Sequence, residues 1–235
     1  MTPSIERTDM QNYQVIVDED ALKAFIEDLP DTTRDERYYF CLFARKKYCR
    51  DIKYIKSDKS QLARKVASKE HLLGKIRQME CKIGSYLQDD ISIPQEALAL
   101  YINPNPRCLR RATIQCLQNL AKVIGQDSPG FNPQAEAMSC IQRSCSRKIW
   151  SDFDIDTKEP GTLERVAEIL VDRSCYRILE SRGGYHVLVN TKAVPPEAGK
   201  KWYPEMSKLA DIQGDCMLPV PGTYQGGFVP KFISG

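Results

Sequence analysis

Trp150-Ser151-Asp152-Phe153-Asp154-Ile155-Asp156 reads as a β-strand with one apolar and one acidic side. A period of two places Asp152, Asp154 and Asp156 on one side and Phe153 and Ile155 on the other. The apolar side calls for helices packed against it. The acidic side gathers carboxylates whose repulsion needs cations to offset it. Oxygen donors at this density suit Mg2+ or Mn2+, which bridge carboxylates and phosphates in phosphoryl transfer. Read alone, Asp-x-Asp fits a solvated strand end equally well.

Downstream, Leu163, Val166, Ile169 and Leu170 share one side of a helix predicted over residues 162–171. Residues 176–180 and 185–189 then predict a hairpin around Gly183-Gly184. Its glycines are expected to take positive φ and let backbone amides approach phosphate oxygens. His186 follows at the start of the returning strand. A lone histidine on a strand is by default a satisfied core residue, but the glycine turn and the acidic strand turn the reading toward a ligand contact. Farther on come Asp211 and Asp215, then Leu218-Pro219-Val220-Pro221-Gly222-Thr223-Tyr224-Gln225-Gly226-Gly227, with Lys231 beyond as a phosphate partner. That proline and glycine density describes a rigid loop carrying backbone close to something, or a plain surface turn.

Upstream, residues 97–102 predict a strand, Asn103-Pro104-Asn105-Pro106 a turn, and 107–124 a helix. A loop over 125–133, a helix over 135–145 and a strand over 148–155 complete a strand-and-helix texture. The expected fold class is α+β, with a mixed or antiparallel sheet flanked by helices. Before residue 90 the spacing of Ala21, Leu22, Phe25 and Ile26, of Tyr38, Tyr39, Leu42, Phe43 and Ala44, and of Leu62, Val66, Leu72, Leu73, Ile76, Met79 and Ile83 predicts helices. The chain is therefore divided into a helical amino-terminal accessory region, 1–90, and a sheet domain, 91–235.

Charge is unevenly spread. Residues 34–82 hold 15 Lys and Arg against 6 Asp and Glu, so a net charge of +3 leaves −6 for the rest. The reading is a basic amino-terminal surface, including Arg45, Lys46 and Lys47, and an acidic site in the carboxy-terminal part, with a merely solvated helical face fitting the charge equally well. At 42% hydrophobic and 28% charged residues the composition is that of a globular domain. No apolar run is long enough to span a bilayer, and residues 1–10 lack a secretory pattern. Nine scattered cysteines, an odd number without a Cys-x-x-Cys pair, fit buried thiols in a reduced, cytoplasmic protein.

An acidic strand, a glycine hairpin with histidine, and an acid before a Pro-Gly-Thr loop, in that order, resemble the archaeo-eukaryotic primase superfamily, especially the primase-polymerase branch of viruses and plasmids. The resemblance covers roughly residues 97–232 and includes Tyr101-Ile102-Asn103-Pro104-Asn105-Pro106-Arg107, which is similar to an Asn-Pro-Arg-like entry strand. It implies a primase-type, RRM-like sheet and a nucleotidyltransferase that makes RNA or DNA primers on single-stranded DNA during replication. Asp152, Asp154 and a third acid, Asp211 in preference to Asp215, would hold Mg2+ or Mn2+. Ser181, Arg182, Gly183, Gly184, His186, Thr223 and Lys231 would hold the nucleoside triphosphate. Arg45, Lys46, Lys47, Arg107, Arg110 and Arg111 would contact nucleic acid. A helicase, often fused to such enzymes, would be a separate partner. A nucleotide-binding protein of the same fold without turnover, or a metal-dependent nuclease, is the alternative.

Overall fold

The computed structural model describes residues 11–50, 54–55, 57–58, 60–124 and 130–233. Residues 1–10 and 125–129, part of the expected loop, lie outside them. In chain order the elements are α1 (Glu19–Asp28), β1 (Glu36–Ala44), β2 (Ser60–Ala67), α2 (Leu72–Arg77), β3 (Leu87–Gln88), β4 (Ile91–Ser92), β5 (Leu98–Ile102), β6 (Arg107–Cys108), α3 (Leu109–Val123), α4 (Pro133–Arg143) and β7 (Trp150–Ile155). Then follow α5 (Thr162–Leu170), β8 (Tyr176–Glu180), β9 (Tyr185–Asn190), α6 (Trp202–Leu209), β10 (Ile212–Gly214), β11 (Leu218–Pro219) and β12 (Lys231–Ile233). The fold is α+β, as expected, with two five-stranded antiparallel sheets and a small β3–β4 hairpin.

The second sheet has the order β10-β7-β9-β8-β12. Phe153 and Ile155 of β7 and Val187 and Val189 of β9 pack against Val166, Ile169 and Leu170 of α5 and Met206 of α6. The predicted helix, hairpin and alternating strand are all present. This two-helix cover is what turns Asp152, Asp154 and His186 toward the other side of the sheet.

The amino-terminal region differs from its reading. Residues 36–44 form a strand, not a helix, and 60–67 form another, so only α1, the six-residue α2 and two single turns remain of the expected helical run. The first sheet runs β11-β5-β1-β2, with β6 also on β1, and therefore joins residues on both sides of position 90. Strand β1 is buried along almost its whole length, so its apolar residues form a continuous run without alternation, which periodicity cannot separate from a buried helix. Tyr38, Phe40, Leu42, Leu98 and Leu100 share one core with Leu22 and Phe25 of α1 and Leu72 and Ile76 of α2. Leu179 and Leu188 of the second sheet enter the same core, which ties the two sheets together.

Glu36, at the start of β1, is only 4% exposed. It accepts Nε of Arg147 at 2.9 Å, Nη2 of Arg147 at 3.0 Å and the amide of Thr33 at 3.0 Å. Burial pushes its carboxyl up, but Arg147 and the Thr33 amide outweigh that and hold it down at about 2. A depressed carboxyl stabilises the fold above its unfolded pKa and loses that contribution as pH falls. Urea melts of the parent should therefore lose about 2–3 kcal/mol between roughly pH 5 and 2, and Glu36→Gln should flatten that part of the profile. An unchanged profile would remove this role from Glu36. Among the described residues no helix is long and apolar enough to cross a membrane, and all nine cysteines are free thiols.

Candidate active site

Strand register builds the centre of the site. Asp154 of β7 lies directly opposite His186 of β9, and Asp152 lies opposite Leu188, so alternation places both aspartates and the imidazole on one side of the sheet. His186 Nδ1 is 3.0 Å from Oδ2 and 3.2 Å from Oδ1 of Asp152, and its Nε2 is 3.4 Å from Oδ1 of Asp154. Asp152 is fully buried and His186 nearly so, whereas the Asp154 side chain is 24% exposed. Burial pushes Asp154 up to about 6, with the Asp152 and Asp156 charges adding to the shift and His186 and Lys47 opposing it. Burial disfavours the His186 imidazolium, but Asp152 above all, then Asp154 and Asp156, overcomes that and raises its pKa.

A cleft of about 810 Å³ opens over this group. Asp154, Asp156, His186, Ser181 and Gly183 line it from the second sheet, and Phe43, Arg45, Lys47, Gln61, Tyr101 and Asn103 from the first. Arg45 stacks over the Tyr101 ring, 5.2 Å from its centre, and Tyr101 meets Phe43 edge to face at 5.6 Å. The cleft thus has an acidic floor and a wall of cations and aromatic rings. That combination suits a ligand with a polyanionic part and a flat part.

The turn between β8 and β9 works differently from its reading. Neither Gly183 nor Gly184 has positive φ. Gly184 is glycine because of space: a Cβ there would lie 1.9 Å from the Ile155 carbonyl oxygen and 2.8 Å from the Thr157 nitrogen, whereas at Gly183 the nearest atom is 4.0 Å away. The Gly184 amide donates to Ser181 Oγ and the Arg182 amide to Gln225 Oε1, so both are already engaged. Gly184→Ala should therefore push the turn off the end of β7 and lower stability by about 1–3 kcal/mol, while Gly183→Ala should melt like the parent. Equal melting of the two variants would show that the close approach does not matter.

Other expected site residues lie elsewhere. Thr223 is buried and donates to the Val220 carbonyl at 2.7 Å, so it is structural and does not reach a nucleotide. The backbone that the Pro-Gly-Thr loop approaches is α1: a Cβ on Gly222, whose φ is +74°, would sit 2.2 Å from the Asp18 carbonyl oxygen. Lys231 is on the edge strand β12, 3.9 Å from Glu180, outside the cleft lining. Arg182 is exposed, stacks on Tyr48 and donates to the Gly226 carbonyl. Arg45 and Lys47, expected to contact nucleic acid, line the cleft, while Lys46, Arg110 and Arg111 are exposed outside its lining.

Arg107, expected to contact nucleic acid, does not face it. It is 1% exposed and grips Asp215 with two bonds, Nη1 to Oδ2 at 2.5 Å and Nη2 to Oδ1 at 2.7 Å, so it has no surface to offer nucleic acid. Asn105 Nδ2 donates to the same Asp215 oxygen and to the Trp150 carbonyl, and its Oδ1 accepts the Ile149 and Trp150 amides. Asp215 reaches the cleft but is held by this clamp. Asp211, the preferred third acid, is exposed, accepts the Asp156 amide at 3.0 Å and does not line the cleft. Among the described residues no three His, Cys, Asp or Glu side chains form a ready-made metal cage. Asp152 and Asp154 are the carboxylates that flank the His186 imidazole on this side of the sheet.

Asn103, Gln225 and Cys216 line the cleft and were not read as site residues. Asn103 had one available signal, its position at the end of the strand that the turn prolines cut off; the other two had none, since the segments before and after β11 bring Cys216 and Gln225 in only through tertiary packing. No protein-family model, no curated protein and no solved structure matches this chain.

Proposed function

We propose that this protein is a template-directed nucleotidyltransferase of primase-polymerase type, which joins nucleotides into RNA or DNA primers on single-stranded DNA. One observation carries the reading: two carboxylates and an imidazole share one side of a sheet beneath a cleft whose facing wall holds Arg45 and Lys47. In the reaction the oxygen of the growing 3′ hydroxyl bonds to the α-phosphorus of the incoming triphosphate while its proton passes to solvent, the bond from that phosphorus to the α–β bridging oxygen breaks, and pyrophosphate leaves. Mg2+ is commonly held by one or two carboxylates together with the substrate's own phosphates, which fits a donor set of Asp154 and, behind it, Asp152. A cation bound there supplies charge neutralisation for the triphosphate and acidifies the attacking hydroxyl.

The protein's own groups have separable tasks. Asp152 holds the His186 ring through Nδ1 and leaves Nε2 turned toward Asp154. Arg45 and Lys47 offset the charge of the phosphates, and the Tyr101 and Phe43 rings form an apolar wall beside them. The expected result is template-dependent primer formation from nucleoside triphosphates with Mg2+ or Mn2+, read on a gel. The full burial of Asp152 against His186 favours a second reading, a nucleotide-binding protein without turnover. Nucleotide binding with no product at any Mg2+ or Mn2+ concentration would select it, and breakdown of labelled DNA without triphosphates would replace both readings with a nuclease.

A further inference from the structure

Among the described residues lining the cleft, two buried side-chain atoms have no hydrogen-bond partner: Arg45 Nε and Asn103 Oδ1. One is a cationic donor and the other a neutral acceptor. A buried acceptor without a partner costs about 1–3 kcal/mol and is uncommon in a folded protein unless a ligand or water completes it. The orientation of the Asn103 amide follows from its neighbours. Its Nδ2 faces the Cys216 carbonyl at 3.2 Å and the Asp215 carbonyl at 3.5 Å, so a reversed amide would set oxygen against two oxygens. Asn103 is 2% exposed.

The first sheet fixes the spacing of the two groups. Arg45 N donates to the Ala97 carbonyl and Asn103 N to the Tyr39 carbonyl, with the Phe43–Ala99 and Cys41–Tyr101 pairs between them. Six residues of strand separate the two positions, about 20 Å at the backbone. Tyr101, between them, presents its ring to Arg45 and its hydroxyl to Gln225 Nε2. Along the first sheet the cleft therefore presents Arg45, then the Tyr101 ring, then the Asn103 acceptor, while Asp58, whose carboxylate accepts the Lys47 amide, and Arg143 also line it.

We infer that Asn103 is the nucleoside-reading residue of the cleft: its Oδ1 accepts a hydrogen bond from a sugar hydroxyl or base amino group, while Arg45 binds the phosphates at the opposite end. This rests on the nucleotide reading of the site and adds to it the direction in which the ligand lies. The neutral carboxamide suits the nucleoside because it offers an acceptor without repelling the phosphates.

The test compares the affinity of the full chain for inorganic tripolyphosphate, a ribonucleoside triphosphate, its 2′-deoxy and 3′-deoxy forms, and the triphosphate of a base lacking the amino group. Asn103→Leu should weaken the nucleoside triphosphates about tenfold and leave tripolyphosphate unchanged. Arg45→Met should weaken every ligand, tripolyphosphate included. The analogue whose affinity Asn103→Leu no longer changes identifies the group that is read. Because tripolyphosphate serves as the reference, a partly unfolded variant would weaken all ligands together and be recognised. Equal losses for nucleotide and tripolyphosphate in a folded Asn103→Leu, or no loss at all, would overturn the assignment while leaving the nucleotide reading standing. A parent chain that binds none of the ligands would overturn both.

Discussion

Asp154→Asn should abolish nucleotide incorporation, by at least on the order of 100-fold, while making the protein more stable at neutral pH. On the proposed mechanism the loss follows from removing the carboxylate that faces the cleft and would share a cation with Asp152. The gain follows from the direction of its pKa shift. Burial and the neighbouring acids push Asp154 up to about 6, so the folded protein holds that proton more tightly than the unfolded chain does. Such a carboxyl lowers stability as pH rises from its unfolded value toward 6, and the full cost is present above 6. A neutral amide of the same shape avoids it, and the expected increase is about 2 kcal/mol in urea melts at pH 7, vanishing near pH 4. Incorporation assays and melts on the same preparation read the two effects together. A stable Asp154→Asn that still extends primers at the parent rate would remove Asp154 from the chemistry.

Asp215→Asn should have the opposite signature, a large loss of stability with the site's chemistry retained. Arg107 is almost wholly buried, and Asp215 supplies both oxygens that its guanidinium grips. Taking away one partner of such a pair leaves a charge in the interior without compensation, which costs about 3–5 kcal/mol. For a chain of this size the melting temperature should fall by on the order of 10 °C. Measured well below that melting point, incorporation should stay within about tenfold of the parent, because the clamp positions the wall of the cleft and does not meet the phosphates. Loss of incorporation at an unchanged melting temperature would make Asp215 the third acidic ligand and would contradict the clamp.

The sheet that carries the site was legible because the two sides of β7 differ in chemistry, apolar toward α5 and α6 and acidic on the other. Helices α5 and α6 lie on one side only, so β7 alternates visibly and Phe153 and Ile155 separate from Asp152 and Asp154. The pairing of Asp154 with His186 was not legible, since the β8–β9 turn sets only which residues of β8 and β9 meet and β7 reaches β9 through α5 and β8. The first sheet was not legible. Strand β1 is packed on both sides, and the apolar positions of Tyr38, Tyr39, Leu42 and Phe43 fit a helix as well as they fit a doubly buried strand. The assignment of Arg107 to nucleic acid failed for a related reason. An arginine's burial depends on whether a distant carboxylate meets it, and Asp215 lies more than one hundred positions away. Of the two turn glycines, expected to be special for positive φ, only Gly184 is required, and it is required by the backbone of Ile155 pressing on it. In each case the missing information was a long-range contact.

The most direct measurement is a crystal structure of the protein grown with Mn2+ and a nucleoside triphosphate whose α–β bridge cannot be cleaved, with the cation located by its anomalous signal. The expected result is a peak about 2.1–2.2 Å from an oxygen of Asp154, with Asp152 behind it and the phosphates running along the wall of Arg45 and Lys47. A nucleotide seated outside this cleft, or a cation bound away from both Asp152 and Asp154, would contradict the account.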